Sequence, residues 1–376
     1  MEILFMTESL DVGGIEINIA RLVKELTDRE HNVSVAARSG VLSSQISSAG
    51  AKTINLKMSF TSPKVIFDDI KKIRDTISKK TEIVHVFSAK SGLLLWVANR
   101  TIMRKNRPIV IASLMGILNK TEKENFLITS MRAKLTLIGA TKIISTSPEI
   151  QKLINKVRNR KQKTIAASVV GVDIYDQPSN EEITALKKTL GIETSSKVIT
   201  TVGRLAESKS HHLFIKAAKQ VIERFPDSQF LIVGDGPLKN DLQELIDTEN
   251  IAKNVRLIGE RHDVKELLFA TDVYVRPGIV EGFVGITVLE AQSAQKPVVG
   301  FETQDLKVAV TDGVSGLLVP VNNYEKLSNA ICKLLDDSEF AEKIAKAGNA
   351  QFLKLFSISA IVDNLCLIYD EAKNES

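Results

Sequence analysis

The sequence predicts an α/β protein built from two doubly wound, parallel-sheet domains that face each other across a cleft. Strand-like and helix-like segments alternate along the chain, as they do in parallel sheets covered by helices on both faces. The 376 residues are enough for two separate cores. The alternation restarts after a polar stretch at 176–197, which contains Pro178, Ser179 and Asn180 and is typical of a linker.

The first half of the chain predicts one sheet. Runs rich in β-branched and apolar residues predict its strands, and the amphipathic stretches between them predict its helices. The expected strands are 2–6, 32–36, 53–55, 83–87, 108–112, 142–146 and 164–168. The expected helices are 15–28, 63–79, 90–103, 122–138 and 147–157.

The second half predicts another sheet and a helical end. Ligands of such sheets bind beyond the carboxyl ends of the strands, so the loops at those ends are the candidate sites. The expected strands are 198–202, 230–233, 255–259, 272–275, 298–299 and 316–320. The expected helices are a short polar one within 176–197, one that begins at His211, one that leads to Val255, one after a glycine loop near 285, and 323–336, 339–354 and 357–373.

Composition favours a cytoplasmic protein. No apolar run is long enough to span a membrane, and the first residues predict a strand rather than a signal peptide. Cys332 and Cys366 both fall on helical patterns, which favours reduced packing residues.

Charge is divided unevenly along the chain. Residues 1–170 contain 28 Lys and Arg against 14 Asp and Glu, whereas residues 171–376 contain 22 against 31. A basic half favours an anionic membrane surface, a phosphorylated acceptor or nucleic acid as partner, and a merely soluble surface is the alternative. The basic segments lack aromatic platforms, so we expect no nucleic acid.

Residues 276–300 carry the strongest local pattern. A strand ends near Val275, a loop with three glycines follows, and a helix then runs to the break at Lys296-Pro297. Backbone N–H groups at the start of such a helix bind anions, most often phosphate. Glu281 in the loop and Glu290 on the helix flank this site, and solvated charges are the alternative for both.

Two cations follow the strand 198–202. Arg204 and Lys209 lie in one loop, with Glu207 as the nearby acid. A guanidinium and a mobile ammonium beside a phosphate site suit a diphosphate. Solvated loop cations are the alternative, and the position at a sheet end favours the site.

Three features of the first half have two interpretations each. Gly13 and Gly14 open a helix where their backbone can approach a ligand, or they form a plain tight turn. His85 either faces the cleft or is a core histidine. Residues 120–138 suit a helix on an anionic membrane or a core-packed amphipathic helix. The apolar positions of that stretch are Phe126, Leu127, Ile128, Met131, Leu135 and Ile138.

With these residues in place, the chain resembles the GT-B glycosyltransferases, and among them the retaining, nucleotide-sugar-dependent transferases of family 4. The resemblance covers nearly the whole chain and implies two Rossmann-like domains. It implies an acceptor-side domain, 1–175, joined by a terminal helix, 357–376, that crosses back, and a nucleotide-sugar-binding domain, 176–356. Its most specific motifs are Gly203-Arg204-Leu205 with Lys209, Val233-Gly234-Asp235-Gly236-Pro237, Glu281-Gly282-Phe283 with Glu290-Ala291, and 312–319.

The resemblance also implies residue roles. Arg204 and Lys209 would hold the donor diphosphate and stabilise the leaving group, Glu290 would bind the ribose hydroxyls, and Glu281 would lie beside the donor sugar. The implied catalytic residues are Glu281, Arg204 and Lys209. The implied donor-binding residues are Gly13, Gly14, Gly203, Arg204, Lys209, Gly234, Gly282, Phe283, Val284, Gly285 and Glu290. No metal and no cofactor besides the substrate nucleotide sugar, whose base stays open, are implied.

Two positions depart from the family pattern. Glu281 and Glu290 are one residue further apart than in the family, so Val284 looks like an insertion, and the loop must bulge or Glu281 must shift. Met115 stands where the family usually has a histidine that contacts the donor sugar. Met115 and His85 are therefore the candidates for an acceptor or sugar contact.

The leading hypothesis is a cytoplasmic enzyme, peripheral at the inner membrane face, that transfers a sugar with retention from a nucleoside diphosphate to a glycan or lipid-linked acceptor. The expected pathways are surface polysaccharide, lipopolysaccharide or glycolipid biosynthesis. A non-catalytic partner subunit that binds a nucleotide sugar is the alternative, and a sugar-nucleotide epimerase is a further one.

Overall fold

The structure, a computed structural model, describes residues 1–11, 13–77, 80–103, 107–114, 126–146, 148–158, 163–279 and 284–375. The chain divides into two compact units. Unit 1 is Met1–Gly171 with Ile358–Ser376, and unit 2 is Val172–Ser357. Each unit contains a parallel sheet flanked by helices, so the predicted α/β fold class is confirmed.

Unit 1 alternates strands and helices along its first segment. Its strands are β1 (Glu2–Ser9), β2 (Asn32–Arg38), β3 (Lys52–Asn55), β4 (Ile83–Val86), β5 (Ile109–Leu114), β6 (Lys142–Ser145) and β7 (Lys163–Ala166). Its helices are α1 (Gly14–Asp28), α2 (Ser43–Ser48), α3 (Pro63–Ile77), α4 (Ala89–Arg100), α5 (Phe126–Leu137) and α6 (Pro148–Val157).

The sheet of unit 1 has the strand order β3-β2-β1-β4-β5-β6-β7. All four residues of β4 are buried, as expected for a central parallel strand covered on both faces. The order reverses between β1 and β4, and this reversal is the topological switch point of unit 1. The loop that follows β1 is therefore at the edge where such sheets bind ligands.

The last helix of the chain belongs to unit 1. α15 (Ile358–Asn374) lies against α1, where the Arg29 guanidinium donates to the Ser359 carbonyl over 3.0 Å and pairs with Asp363. Ile361, Leu365 and Tyr369 are buried on its inner face. The expected return of the terminal helix to the first domain is confirmed.

Unit 2 has the same alternation. Its strands are β8 (Val198–Val202), β9 (Gln229–Val233), β10 (Val255–Leu257), β11 (Val273–Arg276), β12 (Val298–Phe301) and β13 (Leu317–Val319). Its helices are α7 (Asn180–Thr189), α8 (His211–Arg224), α9 (Lys239–Thr248), α10 (Val264–Phe269), α11 (Ile286–Ser293), α12 (Leu306–Ala309), α13 (Tyr324–Asp336) and α14 (Ser338–Leu355).

The sheet of unit 2 has the strand order β10-β9-β8-β11-β12-β13. Its core includes Phe214 of α8, whose ring meets that of Phe230 edge to face at a centroid distance of 5.5 Å. The switch point lies between β8 and β11, which pair directly, with Tyr274 opposite Thr200.

Three short helices, α2, α10 and α12, are absent from the sequence prediction. They have 6, 6 and 4 residues. A helix of one or two turns shows no periodic apolar pattern, and its stability comes from tertiary packing rather than from its own sequence.

Candidate active site

Two loops of unit 2 meet at its switch point. One follows β8 and spans 203–210, and the other follows β11 and leads into α11. The backbone N–H of Ile279 in the second loop donates to the Ser208 carbonyl in the first over 3.1 Å. The structure thus joins the loop that carries both predicted cations to the loop that opens the predicted phosphate-binding helix.

The loop after β8 is also tied to the loop after β9. Gly203 N–H donates to the Val233 carbonyl over 2.9 Å, and Leu205 N–H donates to the Asp235 carbonyl over 3.0 Å. Gly234 has a φ of 136°, and a Cβ there would collide with the Gly203 carbonyl. Glycine at 234 is therefore a requirement of this close backbone approach.

The two predicted cations occupy different surroundings in their loop. Arg204 is exposed, whereas Lys209 is half-buried and ends a single 3-10 turn, Glu207–Lys209. The Lys209 stem covers Gly203, since a Cβ on Gly203 would lie 3.5 Å from the Lys209 Cδ. One cation is held along the loop, while the other extends into solvent, where a ligand can reach its guanidinium fork.

The start of α11 presents backbone N–H groups without a side-chain cap. Gly285 is the N-cap residue and has no side-chain hydrogen bond to the first turn. Val284 is buried, and the Tyr274 hydroxyl lies 2.6 Å from the Thr287 hydroxyl, which fastens α11 to β11. Glu290 is half-buried on this helix. The predicted Glu281, Gly282 and Phe283 lie outside the described residues, so the consequence of the one-residue insertion stays a prediction.

A buried ion pair supports the loop after β11. Arg276, the last residue of β11, pairs with Asp305 and donates to the Thr303 hydroxyl over 2.7 Å. Both charged side chains are almost fully buried. The sequence prediction assigned no role to either residue, because a strand-end arginine and an aspartate before a short helix carry no sequence signal that they pair.

His211, the first residue of α8, is a second residue that the sequence prediction missed. Its imidazole is buried, and its Nε2 lies 3.3 Å from the Arg204 carbonyl oxygen. The pKa of His211 is lowered to about 4, chiefly because burial disfavours the charged ring; the hydrogen bond to the Arg204 carbonyl opposes this shift and the nearby Lys209 charge adds to it. Its spacing to Phe214, Ile215 and Ala218 places it on the apolar stripe of α8, which is the signal that could have revealed it.

The predicted glycine pair of the first loop lies in unit 1. Gly13 is the N-cap residue of α1 and Gly14 is its first residue. A Cβ on Gly13 would collide with the Glu16 carboxylate, which therefore lies over the opening of the helix. Burial, opposed by a backbone hydrogen bond and assisted by the charges of Asp11 and Glu8, raises the pKa of Glu16. The Glu16 carboxylate therefore lies beside the backbone that was predicted to approach a ligand.

His85 is a core histidine in this structure. Its side chain is 0% exposed, with Nδ1 2.7 Å from the Tyr369 hydroxyl and Nε2 2.7 Å from the Ser113 hydroxyl. Its ring also stacks on Phe87. Both nitrogens are occupied, so the structure favours the core interpretation over a ligand contact. Met115, the other candidate for an acceptor or sugar contact, lies outside the described residues.

Helix α5 faces the core partly with residues outside the predicted apolar pattern, while Leu135 and Ile138 of that pattern are half-buried. Ala133 and Leu137 are buried, whereas Ile128 and Met131 are 42% and 56% exposed. The helix packs closely on α4, because a Cβ on Gly92 would collide with its backbone. In the described ranges, no helix combines the length and apolar character that a membrane crossing needs. The same ranges contain no group of three or more His, Cys, Asp or Glu suited to a metal ion.

Two sequence families match the chain. Residues 182–351 match the family described as glycosyl transferases group 1, and residues 10–147 match the one described as glycosyl transferase 4-like. The first match covers the loops after β8, β9 and β11. The second covers the loop after β1 and the whole of β4.

Known proteins are similar in sequence and in fold. The UDP-Gal:alpha-D-GlcNAc-diphosphoundecaprenol alpha-1,3-galactosyltransferase of Escherichia coli is 30% identical over 301 residues, 77% of this chain and 76% of that protein. The GDP-mannose-dependent monoacylated alpha-(1-6)-phosphatidylinositol monomannoside mannosyltransferase of Corynebacterium glutamicum is 33% identical over 190 residues, 48% of this chain and 49% of that one. Anabaena HepE in complex with UDP-glucose has a TM-score of 0.81 at 20% identity, covering 99% of this chain and 100% of its own. The two parallel sheets, the sequence families and the Escherichia coli relative agree, and the chain belongs to the GT-B glycosyltransferases.

Proposed function

We propose that this enzyme transfers a sugar from a UDP-sugar, with retention of configuration, to a lipid-linked acceptor in surface-polysaccharide or glycolipid biosynthesis. The observation that carries the proposal is the hydrogen bond from Ile279 to Ser208, which joins the cation loop to the loop that opens α11. The Escherichia coli relative is named for UDP-Gal and a diphosphoundecaprenol acceptor, and the Anabaena structure holds UDP-glucose. These names support UDP as the nucleotide and a lipid-linked acceptor.

The proposed mechanism uses charge that is already in place before the reaction. Negative charge grows on the diphosphate as the bond to the sugar breaks, and fixed cations stabilise that change more than they stabilise the intact donor. Arg204 would pair with two oxygens, Lys209 would hold the remaining charge, and backbone N–H groups at the start of α11 would add hydrogen bonds. The two cations would do the work that a divalent metal ion does in other diphosphate sites.

The two glutamates would act on the sugars. Glu290 would accept hydrogen bonds from the ribose hydroxyls, since a carboxylate is an acceptor that repels phosphate but suits hydroxyl groups. Glu281 would lie beside the transferred sugar, where it would stabilise positive charge at the anomeric carbon. Retention of configuration at the anomeric carbon is part of the proposal.

A binding experiment tests the diphosphate site. Isothermal titration of UDP into wild type should show binding that weakens at least a hundredfold in the double variant Arg204→Ala, Lys209→Ala, because each charged hydrogen bond contributes about 1.5–3 kcal/mol. The matched control is Arg224→Ala with Lys219→Ala, which removes the same two residue types from the exposed part of α8. Equal loss in both variants would overturn the assignment.

A turnover assay distinguishes a catalytic transferase from a subunit that only binds the nucleotide sugar. With UDP-sugars and an undecaprenyl-diphosphate glycolipid, we expect product in wild type and a much lower kcat in Lys209→Ala. UDP-sugar binding without hydrolysis or transfer, with every acceptor of this class, would instead support the non-catalytic partner subunit.

We also propose that unit 1 touches an anionic membrane through α5. Ile128 and Met131 are exposed on a helix that also carries the exposed cations Arg132 and Lys134, and residues 1–170 have twice as many cationic as anionic residues. Sedimentation with phosphatidylglycerol vesicles at low salt should capture wild type and lose most of Ile128→Ser, Met131→Ser. No sedimentation of wild type would contradict the proposal.

A further inference from the structure

His211 sits where the diphosphate loop meets the core of unit 2. It is the first residue of α8, and its imidazole is 2% exposed. The preceding residue, Ser210, has a left-handed conformation with a φ of 50°, which ends the 3-10 turn and starts the helix. The ring is therefore held inside the unit, facing the backbone of the loop rather than solvent.

The hydrogen bond to Arg204 fixes the tautomer of His211. A carbonyl oxygen only accepts, so the Nε2 that lies 3.3 Å from the Arg204 oxygen must carry a proton. Burial holds the pKa of the ring at about 4, and the ring is therefore neutral at pH 7 with its one proton on Nε2. Nδ1 then carries a lone pair, and it is buried with no hydrogen-bond partner among the described residues.

The Arg204 carbonyl is a central point of the loop. It accepts from the Ala206 N–H over 2.9 Å as well as from His211. The next residue, Leu205, donates to the Asp235 carbonyl and accepts from the Leu238 N–H over 3.1 Å. These bonds fix the peptide plane between Arg204 and Leu205, and that plane sets the direction in which the exposed Arg204 side chain leaves the backbone.

Stability by itself does not favour a histidine at this position. A buried nitrogen without a partner costs free energy that an apolar ring of the same shape would avoid. The position lies on the apolar stripe of α8, next to Phe214 and Ile215, where an apolar residue fits the pattern. The interactions that an apolar residue could not make are those with the loop backbone, namely with the Arg204 carbonyl and with the backbone of Gly203.

We propose that His211 is a positioning residue for the diphosphate site: by donating Nε2–H to the Arg204 carbonyl, it holds the peptide that aims the guanidinium at the diphosphate. The inference rests on the proposed function, since it gives a role to a residue behind Arg204 in that same site. His211 itself touches no substrate. Its loss should leave the cation present but poorly directed, which weakens diphosphate binding without removing a charge.

Three substitutions at one position separate this role from packing. The amide nitrogen of glutamine reaches about as far as Nε2, that of asparagine reaches only as far as Nδ1, and phenylalanine keeps the ring without a donor. We expect His211→Gln to bind UDP within about threefold of wild type, and His211→Asn and His211→Phe to bind about tenfold more weakly. The adjacent control, His212→Gln, should be unchanged, because the half-buried His212 makes no hydrogen bond to the loop among the described residues.

Thermal unfolding separates a positioning role from a packing role, because the two roles predict opposite changes in the melting temperature of His211→Phe. His211→Phe removes the unpartnered nitrogen, so we expect its melting temperature to equal or exceed that of wild type while its UDP affinity falls. Wild-type affinity in His211→Phe would overturn the proposal. If His211→Phe fails to fold, the contrast of His211→Gln with His211→Asn still decides, and equal affinities in those two would also overturn it.

A spectroscopic measurement distinguishes failure of this inference from failure of the proposed function. If the wild-type protein bound neither UDP nor inorganic diphosphate, the proposed function would be contradicted. Nitrogen-15 spectra of histidine-labelled protein then test His211 without any ligand, with His211→Gln assigning its signals. We expect the Nε2–H tautomer at pH 7, and a proton on Nδ1 would overturn the inference.

Discussion

The two switch-point loops of this molecule have opposite charge, and each differs in sign from the half of the chain that carries it. Residues 1–170 are rich in Lys and Arg, yet the end of β1, the loop that follows it and the start of α1 carry Glu8, Asp11 and Glu16. Residues 171–376 are acidic, yet the loop after β8 carries Arg204 and Lys209. The net charge of a domain describes its whole surface, whereas a few residues at strand ends set the charge of a ligand site.

The two units also differ in the buried polar interactions that stabilise them. A neutral network of His85, Ser113 and Tyr369 lies in the core of unit 1. In unit 2, the ion pair of Arg276 and Asp305 supports the loop after β11. Neutral hydrogen bonds need both partners but bury no charge, and a buried ion pair becomes far more costly once one partner is removed.

The largest expected effect is therefore in unit 2. Asp305→Ala should lower the free energy of unfolding by about 3–5 kcal/mol, because it leaves the Arg276 charge buried without its carboxylate. Urea denaturation followed by far-UV circular dichroism measures this. Glu302→Ala is the matched control, since Glu302 pairs with Lys307 on the surface and should change stability by less than about 1 kcal/mol. Equal losses of stability in Asp305→Ala and Glu302→Ala would show that burial of the Arg276–Asp305 pair makes no difference to stability.

The pH dependence of stability compares the two buried histidines. An unfolded histidine gains its proton near pH 6.5, but burial lowers the folded pKa of His85 to about 3 and that of His211 to about 4. The unfolded chain thus binds more protons below pH 6.5, and stability falls as the pH is lowered. As the pH falls from about 6.5 to 5, each histidine should lower the free energy of unfolding by about 2 kcal/mol.

Urea midpoints at pH 7.5 and pH 5 check this expectation. In His211→Gln, the contribution of His211 to the pH dependence of the free energy of unfolding should be lost, and the contribution of His85 should remain. Carboxylates with a lowered pKa, such as Glu82, act mainly below about pH 4.5. Glu16, whose pKa is raised, and His31 and His212, whose pKa values are lowered, also titrate in this window, and they are the same in wild type and His211→Gln. An equal pH dependence in wild type and His211→Gln would show that His211 is not buried in its neutral form.

The neutral network of unit 1 should give a smaller effect than the ion pair. Tyr369→Phe removes one hydroxyl and leaves the His85 Nδ1 buried without its partner, which should cost about 1–3 kcal/mol. The sequence contains one tryptophan, Trp96, and it lies on α4 of unit 1, so its fluorescence reports this unit. Tyr324→Phe in unit 2 should leave the Trp96 transition unchanged, and an equal shift would argue against a local network.

How much of this could be predicted from the sequence depends on the range of the interactions. The alternation of strands and helices and the position of the loop that carries Arg204 and Lys209 follow from local patterns, and the fold class is confirmed. The strand order of each sheet depends on contacts between distant segments, which no local pattern encodes. The bond from Ile279 to Ser208 is of this kind.

The residues behind the site were missed for a similar reason. The spacing of His211 to Phe214 and Ile215 indicates that it lies on the apolar face of α8, but its contact with the Arg204 carbonyl depends on the turn at Ser210 and could be seen only in the structure. Arg276 and Asp305 are 29 positions apart, and nothing in either segment indicates that they pair. The role of Glu16 over Gly13 needed coordinates as well, since glycine pairs usually suggest an open approach.

The smallest expected effect concerns Ser210 itself. A left-handed backbone disfavours side chains with a Cβ, so Ser210→Gly should raise the free energy of unfolding by about 0.5–1 kcal/mol and leave UDP affinity unchanged. Ser208→Gly in the same loop is the control and should not stabilise, because the φ of Ser208 is not positive. Differential scanning calorimetry measures both, and a lower melting temperature for Ser210→Gly would mean that the serine hydroxyl matters more than the strain.

The membership of α15 in unit 1 has a consequence for synthesis on the ribosome. The chain leaves the ribosome with its N-terminal end first, so Val172–Ser357 emerges as one continuous segment before α15 does. During that interval the segment that contains His85 is already outside the ribosome, while its hydrogen-bond partner Tyr369 is not. The unit that begins to emerge first is therefore completed last, when α15 leaves the ribosome and can pack on α1.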